Sequence, residues 1–218
     1  MIVLGLGGGS GSGKSWLASY LKRRLGSRAA IFCLDWYYRD NHQLTPAEAR
    51  RFNFDHPNAL DMDALVRDLR LLSSGKPIDA PLYDYATHAR LKQTHRVEPA
   101  AVILVEGLFV LQDRRLRRLL DGSVYIDVPD DIRLLRRVRR DVSVRRVELE
   151  ETLQIYERCV RPMYRRFIAP SASRATWVWR QMEDRRFPRR LLNWLAGING
   201  TMRSISSRTR ASFPLKRK

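Results

Sequence analysis

One stretch constrains this chain more than any other. Gly8-Gly9-Ser10-Gly11-Ser12-Gly13-Lys14-Ser15 fits the pattern G-x-x-x-x-G-K-[ST]. The chemistry explains the residue types. Glycines let successive backbone N–H groups turn inward around phosphate oxygens. Lys14 supplies a point charge for the distal phosphates, and Ser15 a hydroxyl suited to Mg2+. Ile2–Leu6 before the loop is an apolar strand, and a helix from about Ser15 to Leu25 follows, its positive end facing the anion. A dinucleotide-binding loop is the rival reading, but the run never gives a clean G-x-G-x-x-G/A.

The remaining pattern alternates. Strands are expected at about Ala30–Leu34, Ala101–Val105, Val124–Val128 and Thr176–Trp179. Helices are expected at Met62–Leu72, Asp113–Leu120, Asp131–Val142 and Glu148–Phe167, the last kinked at Pro162, with a helical turn from Pro46 to Arg51 opened by Thr45. Along Glu148–Phe167, Leu149, Leu153, Tyr156, Val160, Met163 and Phe167 recur at helical spacing. Residues 77–97 read as a small β-hairpin excursion. The expected class is α/β, a parallel sheet of about five strands with helices on both faces.

Composition bounds what such a chain does. Its 218 residues carry a formal charge of +18, and 44% are hydrophobic, enough for a packed core. No run of about 18 apolar residues spans a membrane. The start has no basic leader, and two cysteines, Cys33 and Cys159, make no disulfide scaffold, so a reducing cytoplasm is expected. Residues 171–218 hold 12 basic and 2 acidic residues, more than half the excess charge. Charge alone does not choose between nucleic acid, a membrane surface and small anions.

Further segments narrow the class. These are Leu34-Asp35-Trp36-Tyr37-Tyr38, Asn53-Phe54-Asp55-His56-Pro57-Asn58-Ala59-Leu60-Asp61 and Pro81-Leu82-Tyr83-Asp84-Tyr85-Ala86-Thr87-His88-Ala89-Arg90. Val105-Glu106-Gly107, Ile126-Asp127-Val128-Pro129 and Arg136-Arg137-Val138-Arg139-Arg140-Asp141 accompany them. Together they resemble the uridine/cytidine kinase family from residue 2 to about 170. Arg161-Pro162-Met163-Tyr164 resembles its bacterial branch.

The resemblance implies a P-loop kinase fold and phosphorylation of the 5′-hydroxyl of uridine and cytidine by ATP or GTP with Mg2+. Asp35, at the end of a strand beside the phosphate loop, would be the general base; a helix cap is its plainer alternative. Asp55 would hold the vicinal ribose hydroxyls, for which a carboxylate is a bidentate acceptor. Tyr83 and His88 would face the pyrimidine edge, with Phe54 and Tyr38 beside the base. Ser15 and Glu106 would hold Mg2+.

Helical geometry puts Arg133, Arg136, Arg137 and Arg140 on one face, opposite Leu134, Leu135, Val138 and Val142. A solvated face is the usual reading of such a run. The resemblance implies instead a lid at about 131–147, with Arg137 on the ribose and Arg140 catalytic on the triphosphate. Where the family has an acidic residue and then Arg-Gly-Arg, this chain has Val144-Arg145-Arg146-Val147; the glycine is lost, Val147 replaces the second arginine, and Arg146 stands one residue early as its candidate replacement. A strand followed by Pro-Arg-Gly-Gly is replaced by Trp177-Val178-Trp179-Arg180-Gln181-Met182.

The kinase domain is expected at 1–185, then a basic helix and a disordered tail over 186–218. That helix docks on the sheet or lies on a membrane surface or partner. No specific nucleic acid is expected. Family resemblance implies a homotetramer. Two other readings remain open: a related kinase resembling phosphoribulokinase or nicotinamide riboside kinase, and a weakened nucleotide-binding protein acting through its basic tail.

Overall fold

The fold follows from apolar strands too hydrophobic to be solvated on either face. The structure is a computed structural model that describes residues 1–45, 48, 52–84, 87 and 89–201, with side chains through 197. The strands are β1 (Ile2–Gly7), β2 (Ala29–Cys33), β3 (Ile78–Asp84), β4 (Ala89–Val97), β5 (Val102–Glu106), β6 (Gly122–Asp127) and β7 (Trp177–Arg180). Five form one parallel sheet in the order β2-β5-β1-β6-β7; β3 and β4 pair antiparallel as a separate hairpin. β2 is thus not hydrogen-bonded to β1, contrary to the expectation that Asp35's strand lies beside the phosphate loop. β5 runs between them, with both Leu6 and Cys33 in register with Glu106.

Successive strand residues face opposite sides. Val3, Phe32 and Ile103 pack under α2 (Met62–Ser73), whose Leu65, Leu69 and Leu72 are buried. Leu4, Leu104 and Val124 pack under α1 (Lys14–Leu25), whose Leu17 and Leu21 are buried. Each such leucine contributes roughly 1.5–3 kcal/mol by leaving water.

The second layer refines four expectations. The short basic helix expected within Asp113–Leu120 is α3 (Arg114–Arg117), with Asp113 capping Arg115 and Leu116 N–H groups. The stripe opposite the arginines of α4 (Asp130–Ser143) does not enter a core: Leu135 is 53% exposed, while Arg133 is 2% exposed. Next, α5 (Leu149–Ile155) continues through a wide turn at Tyr156–Val160, α6 (Arg161–Met163) and a second wide turn at Tyr164–Ile168. Pro162 removes one backbone donor and crowds the preceding turn, and the wide turns on both sides absorb it. Thr152, Tyr156, Cys159, Val160 and Ile168 are buried, while Leu149 at the helix start is exposed. Finally, α7 (Phe187–Thr201) buries Phe187, Leu191 and Leu195 in the α1-side core. Among the described residues its apolar stripe is therefore internal, as expected for a helix docked on the sheet.

Among the described residues no helix is long and apolar enough to cross a membrane. Thr45 and Glu48 exchange capping hydrogen bonds at the foreseen helical turn. The rest of the Pro46–Arg51 reading, His88 and residues 202–218 lie outside the described residues.

Candidate active site at the ends of three parallel strands

Parallel strands place their carboxyl ends on one edge, where the following loops converge. Here β1 delivers the loop 8–15, β2 delivers Asp35 and β5 delivers Glu106. They share one cleft of about 1150 Å³.

The loop needs its glycines. Gly11 has φ +78°, and a Cβ there would run into the Arg133 carbonyl oxygen. A side chain at Gly9 would strike the Arg133 guanidinium. Arg133 itself is buried beneath the loop. Its Nε donates to Val128 O at 3.1 Å, it pairs with Asp130, and its guanidinium lies 3.8 Å from the Tyr164 ring centroid. This arginine is a structural prop rather than part of a solvated face. Spacing alone grouped it with the others; only its contacts separate it.

Lys14 Nζ donates to Gly9 O at 3.0 Å, and burial pushes its pKa below the usual lysine range, partly opposed by Glu106 and Asp35. Ser15 Oγ donates to Glu106 Oε1 at 2.9 Å. The same oxygen accepts from Cys33 Sγ at 3.4 Å. A hydroxyl and a carboxylate this close are hard oxygen donors of the kind Mg2+ takes, with phosphate and water completing the shell. Ser15 and Glu106 therefore fit that ion. No group of three or more His, Cys, Asp or Glu side chains among the described residues forms an all-protein cage.

Asp35 sits in a one-turn 3-10 segment, Leu34–Tyr37, directly after β2. Burial, reinforced by Glu106 and offset by Lys14 and Arg145, raises its pKa to about 6. It is thus mostly ionised near neutrality yet basic enough to accept a proton.

Asp55 is buried on the far side of the cleft, its pKa raised by burial against the pull of Arg137. Aromatic rings line the same cleft. Tyr38 meets Phe54 edge-on at 6.1 Å and Tyr83 at 5.2 Å, and Phe52 lies 4.7 Å from Phe54. The structure thus brings Asp35, Asp55, Phe54, Tyr38 and Tyr83 to one cavity with the phosphate loop.

Arg136, Arg137 and Arg140 of α4 face this cavity. Arg137 donates to Ser10 Oγ at 3.1 Å and lies 3.9 Å from Asp55, bridging the loop and that carboxylate. Arg140 Nε donates to Asp141 Oδ1 at 2.8 Å. Arg136 donates to Gly11 O at 3.3 Å and to Gln181 Oε1 at 2.6 Å, and Gln181 Nε2 donates to Ser12 O at 3.2 Å. Asp141, 4% exposed, anchors Arg137, Arg140 and Arg145 together. Sequence reasoning passed over Asp141 and Gln181. An acid embedded among arginines was the one available signal for Asp141. Gln181 carried none, because it reaches the loop from 169 residues away.

Where the family glycine is missing, Arg146 adopts φ +60°, the left-handed conformation a glycine would take without strain. Arg146 is exposed; Arg145, not Arg146, lines the cleft. Ile155 lines it too.

A parallel sheet of this order, a phosphate loop and an arginine-lined cleft define a kinase of the P-loop class. Residues 3–187 match the model of the phosphoribulokinase/uridine kinase family, and the chain belongs to that family. It is 42% identical over 171 residues to the uridine kinase of Lactococcus lactis, covering 78% of this chain and 83% of that one. It is 41% identical over 175 residues to that of Cronobacter sakazakii, covering 78% and 82%. Among solved structures, Rhodobacter spheroides phosphoribulokinase has the same fold at TM-score 0.59 and 16% identity, covering 80% of this chain and 67% of that one. D-Glycerate 3-kinase from Cryptococcus neoformans does so at 0.58 and 18%, covering 78% and 80%.

Proposed function

We propose that the protein transfers a phosphoryl group from ATP or GTP to the 5′-hydroxyl of uridine and cytidine. One observation carries this reading: the two carboxylates, Asp35 and Asp55, and the phosphate loop line a single cleft. The relatives named uridine kinase supply the substrate class.

The division of labour follows from position. Asp55 accepts hydrogen bonds from the vicinal ribose hydroxyls, and Arg137 beside it fixes their orientation. Tyr38, Phe54 and Tyr83 enclose the base. The ribose then presents its 5′-oxygen to Asp35, which accepts the proton as the oxygen attacks. Lys14, Arg140 and the loop amides hold the phosphate chain and the charge that spreads in the transition state. Ser15 and Glu106 would hold Mg2+, which would supply positive charge against the phosphates. Two substrates held in line supply much of the remaining acceleration. Lid residues of α4 exclude water that would otherwise consume nucleotide.

Coupled turnover with uridine, cytidine, ribulose 5-phosphate and nicotinamide riboside tests the reading. Uridine and cytidine are expected to turn over. Rates only with ribulose 5-phosphate or nicotinamide riboside would replace the acceptor and keep the kinase.

A further inference from the structure

Trp16 directly follows Ser15 and stands in the first turn of α1. Tryptophan is among the residues that folding tends to cover, yet this one is 52% exposed and lines the cleft. Its ring is held rather than loose. It stacks on Tyr20 one helical turn on, at 5.5 Å and 13°, and lies 6.5 Å from Trp179 of β7. Arg24 sits over the far ring of that stack, 5.7 Å from the Tyr20 centroid.

Its place in the cleft is opposite the acceptor pocket. Tyr38, Phe54 and Tyr83 belong to the core on the α2 side of the sheet, whereas Trp179 and Tyr20 belong to the α1 side. Close by, Gln181 and Arg136 hold the carbonyls of Ser12 and Gly11. A phosphate chain gripped by Lys14 and Ser15 points its transferring end toward Asp35. Its nucleoside end therefore leaves the loop on the α1 side, where Trp16 is the next residue.

We infer that the indole of Trp16 is the stacking platform for the nucleobase of the phosphoryl donor. The inference rests on the kinase reading for the direction of the phosphate chain. Trp16 is then an affinity-determining residue of the donor site, braced by Tyr20 and Trp179. Stacking reads a π-face common to every base, so this platform grips the donor without selecting adenine over guanine.

The test compares ATP with inorganic tripolyphosphate, which fills the phosphate cradle but carries no base. Both are titrated by calorimetry into the full chain, as wild type, Trp16→Ala and Trp16→Phe. Trp16→Ala is expected to weaken ATP roughly tenfold, the range of a lost base–aromatic stack. Tripolyphosphate is expected to bind all three alike, and Trp16→Phe to retain most of the ATP affinity. Equal loss for ATP and tripolyphosphate in Trp16→Ala, or loss for neither, overturns the platform. A wild type that binds ATP with this pattern but phosphorylates no nucleoside upholds the platform and sinks the acceptor assignment instead. A wild type that binds neither ligand overturns both.

Discussion

Ser15 Oγ and Glu106 Oε1 lie 2.9 Å apart, a hydrogen bond that ties the first turn of α1 to the last residue of β5. The bond joins residues 91 positions apart and sets two hard oxygen donors side by side at the phosphate loop. Replacing Glu106 by Gln keeps the shape and removes the charge. The expected outcome is a higher Mg2+ requirement, read as a rightward shift in the Mg2+ dependence of turnover. An unchanged Mg2+ curve would move the metal role elsewhere.

Asp35→Asn removes the proposed proton acceptor while leaving the phosphate loop intact. Turnover is expected to fall roughly 10²–10⁴-fold, the usual contribution of a positioned general base. ATP affinity, measured by calorimetry, should stay within a few fold.

The elevated pKa of Asp35 also fixes a pH dependence. Because the carboxylate is the active form, kcat/KM should rise with pH along an acid limb centred near the value of about 6. Stability moves the other way. The folded pKa lies above the ordinary 3.8, so the folded state binds the proton more tightly, and stability falls as pH rises from about 4 through about 6. Asp35→Asn should therefore melt higher than wild type at pH 7, with the gap closing toward pH 4.

Asp141 is the buried counter-charge of three arginines. Asp141→Ala takes from Arg137, which is largely buried, its nearest carboxylate, leaving Asp55 at 3.9 Å. A loss of about 3 kcal/mol is expected in urea unfolding, toward the lower end for a buried pair because Arg140 and Arg145 remain partly solvated. KM for the nucleoside should rise as well, since Arg137 bridges Ser10 and Asp55.

Arg146→Gly restores a residue at home at φ +60°. Relief of the left-handed strain, less the greater chain entropy of glycine, should leave a net gain of up to about 1 kcal/mol. Differential scanning calorimetry should show this as a rise in Tm of about 2–4 °C at most for a chain of this size. A lower Tm would show that the lid end is held by the arginine side chain.

The sequence by itself determined a good deal. Periodicity placed the strands, because a strand buried on both faces must be apolar throughout. The loop motif placed the phosphate cradle, because only glycines permit that backbone. Asp35, Asp55 and Glu106 were legible because each sits in a short segment with a recognisable neighbour pattern. Arg146 was readable as an oddity, since a glycine was missing where a left-handed residue was needed.

Tertiary structure decided what depends on pairs far apart in the chain. Helical spacing gave α4 an arginine face and a leucine face, and the ordinary hydrophobic argument would bury the leucines. The fold instead buries Arg133, exposes Leu135 and half-buries the rest of both faces, because the loop and Asp55 offer acceptors that water alone would otherwise have to satisfy. Arg133 becomes a prop, Arg137 a bridge and Leu135 a surface residue. Likewise β5 lies between β2 and β1, so the carboxylate of Glu106 stands between Asp35 and the cradle. Spacing along a chain records which side chains share a face; which of the two faces turns inward is decided by the groups that wait there to receive it.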